Sequence, residues 1–188
     1  MTSLDPAFGA LRGDARALLA SWQHDEPDQL VLRDQYLDFL ARYPDGMSRS
    51  CALGHLTASA LVMDEDRTRV LLTLHPKVGR WLQLGGHCEP ADVTFRAAAL
   101  REAIEESGIA DVEISRTPLR LDRHPVQCGG RMSEHLDVEF LALVPGDAQA
   151  VMSEESDDLR WFGVDEQPED LDLAVRRMVE AAVDGHPM

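Results

Sequence analysis

Three glutamates on one predicted helix are the residues best placed in this sequence to do chemistry. Glu102, Glu105 and Glu106 follow an alanine-rich run and, further upstream, the glycine pair at 85–86. On an α-helix, Glu105 lies about −60° and Glu106 about +40° around the axis from Glu102, so the carboxylates share an arc of about 100°. Like charges at this spacing repel each other, and they oppose the helix dipole near a C-terminus. The arrangement therefore requires a physical reason.

A divalent cation would provide that reason. Carboxylates are hard oxygen ligands suited to Mg²⁺ or Mn²⁺, and Mg²⁺ completes its shell with water and phosphate oxygens. The cluster therefore predicts a metal site that acts on a small phosphorylated molecule. The alternative is a solvated acidic face, which is common in a protein of net charge −16. The glycine loop directly upstream favours the metal site.

The stretch 84–109 resembles the Nudix box, whose pattern is G-x5-E-x7-R-E-U-x-E-E-x-G-U, with U an aliphatic residue. Its second half matches at nine adjacent positions, 101–109, and Gly86 matches the opening glycine. The weaker likeness extends from about His55 to Leu171. Gly108, at the end of the match, is also the expected C-cap of the helix.

The first half of the box departs from that pattern. Asp92 stands in place of the first glutamate, and eight residues rather than seven separate it from Arg101. Ala91 replaces a glycine and Leu84 replaces a proline. On a continuous helix the extra residue would rotate Asp92 by about 100°. We therefore expect the loop to absorb it, with Asp92 or Thr94 capping the helix.

The resemblance implies roles for individual residues of the box. The metal ligands that it implies are Gly85, through its backbone carbonyl, Glu102, Glu105 and Glu106. Glu102 would be either a further ligand or the group that orients the attacking water, and Arg101 would orient the glutamates. Relatives often take another acidic residue from a later loop. The segment 153–161 offers several, of which we favour Glu155, although a simple polar turn explains that segment equally well.

The resemblance also implies an activity and a fold. It implies a metal-dependent hydrolase of acid anhydrides that cleaves a diphosphate linkage in a nucleoside diphosphate–X substrate by in-line attack of water at phosphorus. The fold would be α/β, a Nudix-type α/β/α sandwich with a mixed sheet. Two alternatives remain: a non-catalytic nucleotide-binding domain of this family, and an allylic diphosphate isomerase, which would need a catalytic cysteine such as Cys51 or Cys88. The intact set of glutamates favours hydrolysis.

The pattern along the chain predicts a helical extension, 1–50, followed by the Nudix domain, 51–188. Apolar and β-branched runs predict strands at 55–64, 67–76, 81–86, 112–124, 134–144 and 159–164. Helical spacing predicts two helices within 5–45, one at about 94–107 and one at 168–183 that begins at a proline. The segment 124–135 is predicted to be a loop between strands, and we expect it to contribute to substrate specificity.

Composition limits the partners and the compartment. With 34 acidic and 18 basic residues, the surface would repel nucleic acid. No membrane span or secretion signal is recognisable, and we expect a cytoplasmic protein. Three cysteines without a close pair predict neither a disulfide framework nor a zinc cage. The histidines His87, His124 and His135 are expected to be structural or solvent-facing. The N-terminal helices would serve either a homodimer or a cover over the sheet.

Overall fold

In the part of the chain that the structure describes, two α-helices come first, and two groups of four strands follow, each of which ends in a helix. The computed structural model describes residues 6–128, 130–153 and 156–188. Within these residues the helices are α1 (Gly9–Ser21), α2 (Pro27–Arg42), α3 (Phe95–Ser107) and α4 (Leu173–Val183). The strands are β1 (His55–Asp64), β2 (Arg69–His75), β3 (Arg80–Leu82), β4 (Leu84–His87), β5 (Glu113–Ile114), β6 (Arg120–Cys128), β7 (Arg131–Val144) and β8 (Asp158–Gly163).

The strands form one mixed sheet. Strand β1 pairs in parallel with β7, from His55 opposite His135 to Asp64 opposite Val144. All other pairs are antiparallel, and β1 divides its second edge between β4 and β2. All ten residues of β1 are buried, because layers cover both faces of the sheet at its centre. The predicted strand at 55–64 is confirmed at both ends.

Two hydrophobic clusters cover the two faces. One joins α1, α2 and α3 to the even-numbered residues of β1, such as Ala58 and Val62. The other joins α4 to odd-numbered residues such as Leu61 and Met63. The alternation follows from the two-residue period of a strand. The molecule is therefore an α/β/α sandwich with a mixed sheet, as the sequence predicted.

The N-terminal helices share the core of the sheet. Leu11 of α1 and Tyr36 of α2 are buried in the cluster that contains β1. The amide of Gln29 donates to the carbonyl of Leu121 at 3.1 Å and accepts from the same residue's N–H at 2.7 Å. The boundary at residue 50 stays a prediction. Among the described residues, no helix is both long and apolar enough to span a membrane.

Several predicted elements were wrong. The segment 124–135 is not a loop, because β6 and β7 continue through it as a hairpin whose pairing reaches Cys128 opposite Arg131. The single strand predicted at 81–86 is divided, since β3 pairs with β2 whereas β4 pairs with β1.

Two more predicted boundaries differ from the structure. The strand predicted at 112–124 is interrupted between β5 and β6, where only the ends of the segment join the sheet. The last helix begins at Leu173 rather than at residue 168. Its start is set by Asp172, whose side chain accepts a hydrogen bond from the N–H of Ala174 at 2.9 Å.

Candidate functional site

The glycine pair at 85–86 allows β4 to lie unusually close both to the neighbouring strand β1 and to helix α3. Gly85 has φ +154°, and a Cβ built on it would lie 2.3 Å from the Cβ of Ser59 on β1. A Cβ on Gly86 would lie 2.8 Å from Oε1 and 2.9 Å from Oε2 of Glu102. Any side chain at these two positions would therefore push β4 away from β1 or from α3.

The carboxylates of α3 lie against this glycine strand. Glu102 is 9% exposed, and Glu106 accepts a hydrogen bond from the N–H of Gly85 at 3.0 Å. Glu105 is on the solvent side, with 58% of its side chain exposed. The structure thus brings together Gly85, Glu102 and Glu106, with Glu105 beside them. These contacts support the predicted ligand set, which stays a prediction.

The buried face of α3 includes one of the glutamates. Helical spacing alone would place Ala97, Leu100, Ala103 and Ile104 against the sheet, opposite the glutamates. The residues that are buried are Phe95, Ala98, Ala99, Glu102, Ala103 and Ser107. The helix is rotated toward β4 because Gly86 leaves room for the Glu102 carboxylate, so this glutamate is part of the packed face.

Arg101 connects the acidic residues around the site. One of its terminal nitrogens donates to Glu102 Oε1 and to Glu105 Oε2, both at 3.0 Å. Its other guanidinium nitrogens form two bonds to Asp92, at 3.0 and 3.1 Å, and one to the carbonyl of His87. The bond to Asp92, with the neighbouring carboxylates, raises the pKa of Arg101. The guanidinium is therefore a fixed cation, and its contacts support the predicted orienting role.

The loop before α3 absorbs the extra residue, as we expected. Thr94 is the N-cap, and its hydroxyl accepts from the N–H of Ala97 at 3.0 Å. Asp92 instead closes the preceding turn, since its Oδ2 accepts from the N–H of Glu89 at 2.7 Å. Because Asp92 also binds Arg101, it holds the loop against the helix. The predicted C-cap Gly108 is left-handed, with φ +68°.

One residue of the N-terminal extension contributes to this helix. The N–H of Phe95, in the first turn of α3, donates to Asp14 Oδ2 of α1 at 2.8 Å. An acceptor at a helix N-terminus satisfies a donor that has no partner within the helix. Sequence reasoning missed this contact because 81 positions separate the two residues.

The predicted Glu155 lies outside the described residues. The same loop begins beside α3, where the N–H of Val151 donates to the carbonyl of Ser107 at 2.7 Å. After residues 154–155, the hydroxyl of Thr73 on β2 donates to the hydroxyl of Ser156 at 2.6 Å. Val151 is thus bound at the C-terminal end of the glutamate helix, and Ser156 is bound at β2.

Sequence reasoning also missed a group of buried polar residues on one face of the sheet. Asp137 of β7 is 4% exposed, and it accepts hydrogen bonds from Thr57 Oγ1 at 2.9 Å and Ser59 Oγ at 2.6 Å. Burial raises the pKa of Asp137, and that of Glu139 well above its usual range. The sequence did contain a signal for this group, because polar residues occur at alternate positions of the apolar strands β1 and β7. Residues at alternate positions of a strand lie on the same face of the sheet.

The chain has recognisable relatives. The sequence profile of the NUDIX domain matches residues 54–182, which include the whole glycine loop and α3. None of the curated protein sequences compared with the chain matches it. The Escherichia coli structure described as "dihydroneopterin triphosphate pyrophosphohydrolase" is 17% identical, covers 70% of this chain and 96% of its own, and has a TM-score of 0.59.

Two further solved structures are similar. A hydrolase of the NUDIX family from Clostridium perfringens is 21% identical, with 70% of this chain and 98% of that chain covered and a TM-score of 0.57. The NUDIX domain of Shewanella oneidensis NrtR, complexed with ADP ribose, is 20% identical, with 78% and 96% covered and a TM-score of 0.54. At these identities the similarity shows the fold.

Proposed function

Because this chain belongs to the NUDIX family, we propose that it hydrolyses a diphosphate linkage in a nucleoside diphosphate–X substrate, with Mg²⁺ or Mn²⁺ as its cofactor. The class of activity is that of the family, hydrolysis of acid anhydrides. The observation that carries the proposal is the packing of the glutamate helix on the glycine strand. The oxygens of the Glu102 carboxylate lie 2.8 and 2.9 Å from the position that a Cβ of Gly86 would take, and Glu106 accepts a hydrogen bond from the N–H of Gly85.

The side chains at the site fit a hard divalent cation. Glu102, Glu105 and Glu106 would hold it through carboxylate oxygens, together with the backbone carbonyl of Gly85. All of these donors are oxygens, which Mg²⁺ and Mn²⁺ prefer. When bound, such an ion neutralises charge on the phosphate oxygens and lowers the pKa of a water that it holds.

The residues of the chain itself would position the reaction. Arg101 holds Glu102 and Glu105 in fixed directions through its two 3.0 Å bonds, and Asp92 keeps the guanidinium in place. We assign to Glu102 the role of general base, which accepts the proton of the attacking water, because its carboxylate is the most buried of the three. Glu155 is the second candidate for this step, since Val151, four residues before it in the sequence, is hydrogen-bonded to the end of α3.

The proposed substrate is a small phosphorylated molecule, in particular a nucleotide derivative. The neighbours named above act on a pterin triphosphate or bind ADP ribose, and both compounds join a ring system to linked phosphates. The strongly acidic chain, of net charge −16, supports a cation as the intermediary between carboxylates and phosphate. The same charge supports the exclusion of nucleic acid as a partner.

One alternative from the sequence is disfavoured by the structure. An isomerase would need an ionisable cysteine, but burial raises the pKa of Cys88 far beyond the usual range and also raises that of Cys51. Because the thiolate is the reactive form, neither thiol is suited to catalysis. A non-catalytic nucleotide-binding domain is left as the competing function.

A substrate panel in isotopically labelled water tests the proposal. The full chain is incubated with ADP-ribose, a nucleotide sugar, a dinucleoside polyphosphate and an oxidised nucleoside triphosphate, each with Mg²⁺, with Mn²⁺ or with a chelator. We expect cation-dependent cleavage of at least one compound in H₂¹⁸O, with one ¹⁸O in a phosphate group of a product. Tight binding of a nucleotide without cleavage, or ¹⁸O at a carbon, would contradict the proposal.

A further inference from the structure

Four strands bring three histidines and one cysteine to a single point of the sheet. His55 begins β1, His87 ends β4, Cys128 ends β6, and His135 lies in β7. One potential ligand atom from each of them can be chosen so that all four lie within 4.8 Å of one another. The imidazole rings of the three histidines have centroids 4.8 to 5.2 Å apart.

The imidazoles of this cluster lack hydrogen-bond partners where they are most buried. His55 is fully buried, yet neither of its ring nitrogens has a partner within the described structure. The same holds for Nε2 of His135. Leaving a buried polar atom unsatisfied costs about 1–3 kcal/mol per group. Three such atoms on two neighbouring imidazoles, whose centroids are 4.8 Å apart, therefore indicate that a ligand belongs between the rings.

The chemistry of the four donors selects the type of ligand. Imidazole nitrogen and thiolate sulfur are borderline or soft donors, which favour Zn²⁺ and its neighbours in the periodic table over Mg²⁺. Around a tetrahedral zinc ion, ligand atoms lie about 3.3 to 3.8 Å apart, as follows from bond lengths of about 2.0 to 2.3 Å. Nε2 of His87 and Sγ of Cys128 are already 3.9 Å apart. The widest separation in the cluster is at most 4.8 Å, so a contraction of no more than about 1.5 Å would complete the site.

The protonation of the histidines is suited to coordination. His55 is fully buried, His87 and His135 are partly buried, and burial disfavours the protonated form of an imidazole. Neutral imidazoles offer a lone pair to a metal ion near neutral pH. His124 is not part of the set, because it offers no ligand atom within 4.8 Å of all the others.

We propose that His55, His87, Cys128 and His135 bind one Zn²⁺-type transition-metal ion in a closed, structural site. On binding, the Cys128 thiol loses its proton to solvent and a metal–sulfur bond forms, while the three imidazoles bind as neutral ligands. Four protein ligands leave no open position, which distinguishes the site from a catalytic zinc centre. The proposal is independent of the diphosphate hydrolysis and departs from our sequence-based expectation of no zinc site.

The ion would connect the β6–β7 hairpin to the strand that carries the glycine pair. His87 directly follows Gly86, and its carbonyl accepts a hydrogen bond from Arg101 at 3.0 Å. Cys128 is at the end of the hairpin. A metal bond between these two residues would fix the end of β4 and, through the His87 carbonyl, the position of Arg101.

Titration of the full, metal-free chain with Co²⁺ tests the proposal, because Co²⁺ reports ligand type and geometry in its absorption spectrum. With excess Mg²⁺ present to occupy the α3 carboxylates, we expect one thiolate-bound Co²⁺ per chain, with tetrahedral d–d bands and a thiolate-to-cobalt charge-transfer band in the near ultraviolet. One equivalent of Zn²⁺ should displace the Co²⁺ and raise the unfolding temperature. Absence of stoichiometric binding, or binding without the thiolate band, would overturn the proposal.

Matched variants assign the signal to these residues. Cys128→Ser should lose the charge-transfer band, whereas Cys51→Ser, which changes another buried free cysteine, should keep it. His135→Gln provides a second test if Cys128→Ser does not fold. Glu106→Gln should keep the band, so that loss of hydrolysis and loss of the cobalt signal remain separate results. A band that survives in Cys128→Ser would exclude this ligand set.

Discussion

The carboxylates of α3 and the histidine–cysteine cluster differ in how their donor atoms are satisfied without an ion. The carboxylates already accept bonds from Arg101 and from the Gly85 N–H. In the cluster, both nitrogens of His55 and one of His135 have no partner among the described residues. The first set would therefore release an ion at little cost, whereas the second leaves buried nitrogens unsatisfied without one. A catalytic cofactor suits the first set, and a structural ion suits the second.

The two sets also differ in how they are built. One helix supplies all three carboxylates, so that their spacing is fixed by helical geometry. Four strands supply the cluster, so that its geometry depends on the whole sheet. Changes at the first site should therefore alter activity more than folding, and changes at the second should alter folding more than chemistry. Each of the following substitutions tests that contrast.

The largest expected effect is from Glu102→Gln. Loss of a group that accepts the proton of the attacking water should lower kcat by about 10²- to 10⁴-fold, while the cobalt signal of the cluster stays intact. The control is Glu113→Gln, which changes an exposed glutamate of β5. Steady-state rates and the cobalt spectrum are measured on both variants. A Glu102→Gln rate close to that of the control would show that this residue has no part in catalysis.

Gly86→Ala should have the next largest effect. Its Cβ would lie 2.8 Å from Glu102 Oε1, and displacement of a catalytic group by about 1 Å can lower a rate about 100-fold. The control is Gly13→Ala in α1, where nothing lies within 4 Å of the added atom. That substitution should stabilise the helix by roughly 0.5–1 kcal/mol. Wild-type kcat in Gly86→Ala would mean that the close approach is not needed.

Arg101→Lys should have a moderate effect on activity. Lysine keeps the charge, but it cannot form the two-pronged bond to Asp92 and hold Glu102 at the same time. Loss of such a supporting contact typically weakens metal affinity or activity by about 10- to 100-fold. The measurement is the Mg²⁺ concentration that gives half-maximal rate. An unchanged Mg²⁺ dependence would contradict the orienting role of Arg101.

The smallest expected effect is on stability and comes from Asp14→Ala. Removal of the acceptor for the Phe95 N–H should lower the free energy of unfolding by about 1 kcal/mol, as for other helix caps. The control Asp111→Ala changes an exposed loop residue and should stay within about 0.5 kcal/mol of wild type. Urea unfolding measures both. Equal midpoints for the two variants would show that the extension does not stabilise α3.

The carboxylate helix could be predicted from the sequence because its determinants are local. Thr94 and Gly108 cap it, and the glutamate spacing lies within five residues. The rotation of the helix could not be predicted, since it depends on the space that Gly86 leaves for Glu102. Strand β1 could also be predicted from local sequence. Because all ten of its residues are buried, the strand appears in the sequence as a mainly apolar run.

The histidine–cysteine cluster could not be predicted because its members are far apart in the chain. His55 and His135 meet only through the parallel register of β1 and β7, and Cys128 reaches them only because 124–135 is a hairpin. We had predicted a loop there, since polar residues and a glycine pair conceal the alternation of an edge strand. Sheet register is a long-range property that the local pattern does not contain.

The most direct test of the central claim is the Mg²⁺ dependence of hydrolysis in Glu106→Gln and in the control Glu113→Gln. The substrate is the best one found in the panel, and the rate is followed over a range of Mg²⁺ concentrations. Loss of a contact that only supports a metal ligand already lowers metal affinity or activity by about 10- to 100-fold. We therefore predict a loss of at least that size for Glu106→Gln, with Glu113→Gln unchanged. Hydrolysis by Glu106→Gln at the wild-type rate would contradict the assignment of the α3 carboxylates as the catalytic metal site.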